Sequence, residues 1–554
     1  MESQTNLEIK GEDIFQIVKD LCNFGFRRAG TPPADKAERY IYEKLKEAGV
    51  EDVKFEEVNF TRWWSERHEL TIISENTPGV AENQNIETFP SWYSISTPPE
   101  GIIAEVAYVG YGTKSDFREI NVKDKIALIE GKMILNFRPT HNVFNTIDVA
   151  QKKGAKAVIC INGSPVDTIS YTNYTPMYEL PSTQTVPSLS LPVFSISNHD
   201  GEYLKHLCTR YHKKLTVKLV EISKTGPATS NTIIGTLPGK SDDIIVIGTH
   251  TDSTFTGAFD NAAANAGLIT LAKYYAKIPP ENREKTIIFV GWTGHECESI
   301  GSRIFVEMHE EMLSKITTFI ELDGFGCNGY YNQADGAIID TKLDERRGIF
   351  ITDNSVLFAF ASDAVLKYKL LPAVYVSALL LQVGDYAPFA NKGVPSLLII
   401  GKSPLYHTEL DTIDVIRPDQ LERSAKAHIE IINRIQTASA EDIKKSDRKR
   451  FDVNKFIIKK EGIHKPAVYF HVVPEVLTVG DFGVFVPSVI SNPESILLSY
   501  EWDLGDGMKS KSLMMVHTYR KPGSYKVRFN VIDNFGNMAT QERVIRVVEK
   551  FKKK

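Results

Sequence analysis

Residues 243–260 read DIIVIGTHTDSTFTGAFD, and this stretch decides the fold. Ile244 to Ile247 form a continuous apolar run closed by Gly248, without the alternation of a half-exposed strand. Such a run predicts a strand buried on both faces. The polar residues that follow, from Thr249 through His250 and Asp252 to Asp260, predict a loop, and Asn261 opens a helical segment. Gly257 and Ala258 are small enough for that loop's backbone to approach a bound ion closely.

Working outward, the same pattern returns at Thr286–Trp292 (TIIFVGW), Lys315–Leu322 (KITTFIEL) and Ser396–Ile400 (SLLII), with helical segments between. Continuous apolar strands alternating with helices predict an α/β domain whose mostly parallel central sheet is flanked by helices. A long helix from about Asp419 to Ala438 closes it. Upstream, helices are expected at Asp13–Leu21 and at Ala34–Ala48, the second ended by Gly49, then strands at Val53–Phe60 and Leu70–Ser74. The α/β body is therefore expected to take residues 1–97 and 223–442. Residues 98–222 read as a separate β-rich insert, 443–465 as a charged linker and 466–554 as a further module.

A chain of 554 residues predicts about two to four domains. Hydrophobic content of 42% and charged content of 24% are those of an ordinary globular protein. The net charge of -5 leaves no basic excess to hold nucleic acid. The basic run Lys444, Lys445, Arg448, Lys449, Arg450 reads as solvated linker. The N-terminal residues lack a secretory pattern, and no stretch approaches the roughly 18–20 apolar residues of a membrane span. Cys22, Cys160, Cys208, Cys297 and Cys327 show no metal or redox spacing, which predicts reduced, mostly buried thiols. A cytoplasmic location, with no membrane or nucleic-acid partner, is the expectation.

His250, Asp260, Glu296, Asp323 and His407 each end a predicted strand or sit in the loop after one. Ligands of an open α/β sheet bind there, outside the carboxyl ends of the strands. Two imidazoles and three carboxylates suit a pair of borderline-soft divalent ions such as Zn²⁺, with Asp260 as the candidate bridge. Asp252 is placed to accept the second imidazole N–H of His250, and Asp411 to orient His407.

The segments THTDS, GAFDN, HE…GS, ELDG and HTELDT resemble the co-catalytic zinc exopeptidases that include bacterial leucyl-type aminopeptidases and glutamate carboxypeptidase. GDYAPFANKGVPSLLI, residues 384–399, resembles that family's pocket loop, usually SDHxPF followed by GIPA. YVGYGTKSDF, VKDKIALIEGK, AQKKGAKAVICIN and VFSISNHDGEYL resemble a protease-associated domain. YEWDLGDG, HTY, GSYKV and VIDNFG resemble a PKD domain, an immunoglobulin-like β-sandwich used as a spacer or to bind protein or glycan; Asp503, Asp506 and His517 read as its turn residues. The first resemblance implies that Asp260 bridges two zinc ions, with Glu296 and His407 completing one site and His250 and Asp323 the other.

The departures are specific. The family pattern EE-x-GL-x-GS stands here as His295-Glu296-Cys297-Glu298-Ser299-Ile300-Gly301-Ser302, so a histidine occupies the general-base position. Ala263-Ala264 replaces SG, and Tyr386 replaces the pocket-loop histidine. Three readings of His295 stand: the base or proton shuttle, a structural or metal-adjacent residue, or a bystander to Glu298 acting as base. Counting charge at the loaded centre alone predicts a depressed His295 pKa. Tyr386 would stabilise an oxyanion if its hydroxyl faced the site, and would otherwise be packing; Cys297 reads as a small buried residue. The implied activity is zinc-dependent exopeptidase, most simply an aminopeptidase acting on peptides. A weakened or binding-only relative, and carboxypeptidase or glutaminyl-cyclase-type chemistry on the same scaffold, are the alternatives.

Overall fold

The computed structural model describes residues 8–73, 83–134, 138–140, 144–163, 166–170, 189–210, 214–332, 338–378, 381–445, 452–458, 460 and 464–549. Its centre is a mixed sheet. Ser241–His250 lies between Lys285–Trp292 and Ile316–Glu321, and Ser396–Gly401 follows, all four parallel. Arg347–Ile351 then runs antiparallel to Ser396–Gly401, and Ala373–Ser377 parallel to Arg347–Ile351. On the other flank Thr216–Leu237 and Asp52–Ile72 are antiparallel. The four buried runs read from sequence are thus the parallel middle.

Helices cover both faces, and the apolar stripes explain their placement. Gly11–Cys22 buries Ile14, Ile17, Val18 and Leu21 in the main core with Leu421 and Ala425 of Pro418–Thr437. Those two helices touch so closely that a Cβ at Gly11 would stand 2.0 Å from the Pro418 carbonyl oxygen, and the Gly11 amide donates to Glu422 Oε2 at 3.0 Å. Only glycine fits there.

The strands expected at 53–60 and 70–74 are one strand, Asp52–Ile72, paired along its length with Thr216–Leu237. This ribbon runs past residue 222 without a break and carries the insert. There, Ile102–Tyr108, Ile126–Glu130, Ala157–Ile161 and Val193–Ile196 form a parallel sheet. Alternate residues of Ile126–Ile129 enter two different cores, as burial on both faces requires.

The C-terminal residues form a β-sandwich. One sheet holds Ala467–Val473, Gly483–Ile490 and Met515–His517; the other is built around Ile496–Asp503, Gly523–Asp533 and Met538–Val548. Trp502 fills its core, stacked on Phe529 at 4.2 Å. Asp503 and Asp506 accept from the amides of Gly505 and Met508, so they are turn residues, and His517 Nε2 meets Asp506 at 2.8 Å. Among the described residues no helix is long and apolar enough to cross a membrane.

Candidate metal centre

Parallel strands bring their carboxyl ends to one edge, and the candidate ligands gather there. His250 is the last residue of Ser241–His250; Glu296, Asp323 and His407 follow the next three strands of the parallel set. Asp260 lies in the turn Ala258–Ala262 that leads into helix Ala263–Ala276. Its loop is shaped from below by Arg27, fully buried, whose guanidinium donates to the carbonyls of Thr256 (2.7 Å) and Gly257 (2.9 Å). Gly257 takes φ +51°, and a Cβ there would lie 2.2 Å from the Asp260 carbonyl oxygen.

The distances describe two half-sites sharing one carboxylate. His250 Nε2 stands 3.1 Å from Asp260 Oδ1 and 3.9 Å from Asp323 Oδ1. His407 Nε2 stands 3.2 Å from Asp260 Oδ2 and 3.2 Å from Glu296 Oε1. For metal–ligand bonds of ~2.0 Å, the edge of a tetrahedron is about 3.3 Å; the spacings of 3.1 and 3.2 Å match it and the 3.9 Å one is wider. Within 4.8 Å the ligand atoms group as Asp260 with Glu296 and His407 and as His250 with Asp323 and His295. His250 Nε2 and Asp260 Oδ2 are buried yet make no well-aligned hydrogen bond, as expected of atoms aimed at a shared point. The donor set therefore fits divalent cations. Burial pulls the His407 imidazole down, but Glu296 and Asp260 outweigh it and carry it up to about 10. The site's own electrostatics favour positive charge.

The supporting bonds differ in part from expectation. His250 Nδ1 donates to the backbone carbonyl of Asp252 at 3.0 Å, while the Asp252 carboxylate stands 3.5 Å away. That carboxylate instead accepts from the amides of His295 and Glu296, both at 3.1 Å, tying the first ligand to the turn bearing the third. The bonds of Asp411 run to the loop of Asp260. Its carboxylate accepts from the amides of Phe259 (2.8 Å) and Asp260 (3.1 Å), and so fixes the bridging ligand's loop. Asn265 Nδ2 donates to the His250 carbonyl at 2.6 Å, and Thr254 Oγ1 donates to Glu296 Oε1 at 2.9 Å.

His295 lies against the centre, its ring stacked on that of His250 with centroids 4.0 Å apart. Its Nδ1–H donates to Asp385 Oδ2 at 2.8 Å, and the other oxygen of Asp385 accepts from Ser302 Oγ at 2.5 Å. Burial and the neighbouring His250 pull the His295 pKa down, yet Asp385 and Glu296 outweigh them and raise it to about 9. The depression expected from sequence concerns the loaded centre, where two divalent cations would oppose an imidazolium; Asp385 acts against it. That carboxylate, with Glu321, whose Oε1 accepts from the Asp385 amide at 3.2 Å, was missed. The signal was the aspartate of GDYAPF, overshadowed by the tyrosine after it.

Two candidates stand elsewhere. Glu298 is buried beside Arg303 and Cys297, and among the described residues it joins none of the groups of histidines and carboxylates whose ligand atoms lie within 4.8 Å of one another. Tyr386 is fully buried; its hydroxyl donates to the Ser396 carbonyl at 3.4 Å, inside a core shared with the sandwich. Its surroundings are those of packing, not of an oxyanion donor. Cys297 is buried, its thiol pushed up to about 12 by burial.

Residues 232–432 match the model of peptidase family M28, residues 96–204 that of the PA domain and residues 464–547 that of the PKD domain. Among curated proteins, carboxypeptidase Q of Xenopus laevis is 26% identical over 313 residues, 54% of this chain and 62% of that protein. A probable leucine aminopeptidase 2 of Arthroderma benhamiae is 25% identical over 349 residues, 60% of this chain and 63% of that one. The chain thus spans less than two thirds of the length of these relatives. Among solved structures, an aminopeptidase from Aneurinibacillus sp. strain AM-1 aligns with TM-score 0.56 at 23% identity, over 78% of this chain and 95% of that one. BSAP, a zinc aminopeptidase from Bacillus subtilis, aligns with TM-score 0.59 at 22% identity, over 79% and 98%. Those two likenesses bear on the fold.

Proposed function

We propose that this chain, whose catalytic body is a peptidase family M28 domain with an inserted PA domain and a C-terminal PKD domain, is an aminopeptidase that removes N-terminal residues from peptides. The observation that carries the reading is Asp260, which offers one oxygen to the His250 and Asp323 pair and the other to the Glu296 and His407 pair. His250, Asp323, Asp260, Glu296 and His407 would hold two divalent ions, zinc by the family's usage, which when bound would supply a water of lowered pKa and a Lewis acid for the scissile carbonyl. The protein's own part is to move protons. With cations held beside it opposing imidazolium formation, His295, its Nδ1–H committed to Asp385, would present Nε2 as the acceptor for the water's proton and then as its donor to the leaving amine. The His295 side chain is 12% exposed, which limits competition from bulk water.

Metal analysis of the purified chain, then hydrolysis of a panel of aminoacyl-anilides with Zn²⁺, Co²⁺ or Mn²⁺, tests this. Unblocked dipeptides and N-blocked peptides belong in the panel, since relatives include proteins named carboxypeptidase Q. Two ions per chain with anilide turnover is the expected result; stoichiometric metal without turnover of any substrate would sink it.

One observation favours a second reading. His295 groups with His250 and Asp323, their ligand atoms within 4.8 Å, close enough for the ring to be a ligand itself. The protein would then hold metal without a base. Loss of metal in a His295→Ala chain would mark that case.

A further inference from the structure

The loop that carries Asp385 has two faces. Asp385 meets His295 and Ser302 on one. On the other, Tyr386 belongs to a core with Phe470, Trp502 and Phe529 of the C-terminal sandwich, and Leu381, Val383 and Ala390 pack against that core. Neighbouring residues on one short segment thus link the centre to a different domain.

Backbone joins the sandwich there as well. Strand Ile496–Asp503 pairs in parallel with Ala373–Ser377, with Ala373 opposite Ile496 and Val374 opposite Leu497. The Ala373 amide donates to the Ser495 carbonyl at 3.1 Å, and the Tyr500 hydroxyl donates to the Tyr375 carbonyl at 2.7 Å. Leu497 and Tyr500 are buried. The loop springs from this same strand, the Leu381 amide donating to the Ser377 carbonyl at 3.1 Å. A tethered module would touch its neighbour through a wet, polar rim; this one extends the sheet and shares its core.

We propose that the C-terminal sandwich is a positioning element of the metal centre: it holds residues 381–391 so that Asp385 stays against His295. The inference rests on the reading above that His295 moves the proton. It assigns the module a part in turnover beyond those of spacer or binding domain.

The test uses the full chain with Tyr500→Phe, Leu497→Ala, Asp385→Asn, and each sandwich substitution combined with Asp385→Asn. A displacement of the ring by a fraction of an ångström predicts about a 10-fold fall in kcat for Leu497→Ala, with KM and metal content unchanged. Asp385→Asn should lower kcat further, and adding Leu497→Ala to it should cost nothing more, because both act through one contact. Additive losses would overturn the proposal. Hydrogen exchange gives a readout that needs no turnover: amides of 384–391 should exchange faster in the sandwich variants while those of Pro418–Thr437 do not. Unchanged exchange at 384–391 would overturn it equally. Should Leu497→Ala fail to fold, Tyr500→Phe, which deletes one hydroxyl, carries the same comparison. An unsubstituted chain that binds metal and hydrolyses nothing defeats the peptidase reading; the exchange result then decides by itself whether the sandwich holds the loop.

Discussion

The five-ligand cage and the base position next to it are built in opposite ways. Three cage residues are fixed by partners within the same domain: Asp260 through its amide on Asp411, His250 through Asp252 and Asn265, Glu296 through Thr254 and Asp252. His295 has its amide on Asp252, but its ring nitrogen is held by one carboxylate on a loop that leans on another domain. The cage is therefore held by several contacts, whereas the His295 ring nitrogen hangs on one supported contact.

Substitutions can break this contrast. The largest effect belongs to the cage: Asp260→Ala removes the shared carboxylate, and metal analysis should show both ions lost, with activity below detection. His295→Ala should keep the metal yet lower kcat by about 10²–10⁴-fold; unchanged turnover would remove His295 from the mechanism. Asp411→Ala frees the amides of Phe259 and Asp260, and competition with a chelator should find metal affinity weakened by about 10–100-fold. Equal affinities would mean that the cage needs no outer support. Tyr386→Phe sharpens the comparison from the other side. Its hydroxyl bonds the Ser396 carbonyl and the Thr352 side chain within the core shared with the sandwich, so kcat should change by less than about 3-fold, whereas an oxyanion donor would cost ~10²–10³.

A last, smaller effect lies away from both. Burial carries the Glu221 carboxyl up to about 8, although Ser94 and Ser223 pull it down. The folded chain therefore keeps a proton that the unfolded chain has lost above about 4.5. By linkage this stabilisation is complete below the unfolded value and fades as pH rises through the folded one. Thermal melts between pH 5 and 9 should show Tm falling over that window, and Glu221→Gln should flatten the fall while leaving metal content alone.

Much of this was legible in the sequence because parallel strands buried on both faces must be apolar throughout, and their ends are where polar loops collect. Residues 244–248, 286–292 and 396–400 announce themselves, and so do the ligands after them. What was illegible depends on partners far along the chain. Asp52–Ile72 reads as two strands because Arg62, Glu66, Arg67 and Glu69 interrupt its alternation; the partner strand that makes it one begins at Thr216. Asp411 looks like a support for His407, four residues before it, but its targets lie about 150 residues upstream. Tyr386 reads as a catalytic candidate, yet it packs in the core shared with the sandwich while its neighbour Asp385 meets His295, and no local pattern tells which of two adjacent side chains turns inward. Charge in 443–465 likewise hides Phe456, which packs edge-on against Phe358 at 4.7 Å.

The contact between the first and last helices of the α/β body has a consequence for synthesis. Gly11–Cys22 also packs on Ala263–Ala276, but its contact with Pro418–Thr437 waits until that helix has been made. At ribosomal rates of about 5–20 residues per second, that is a wait of roughly 20–80 s. Throughout it the apolar stripe of Ile14, Ile17, Val18 and Leu21 lacks the part of its cover that the long helix supplies. A chain arrested before residue 418 should therefore bind a chaperone or a hydrophobic dye at its oldest segment, and release it once the long helix emerges.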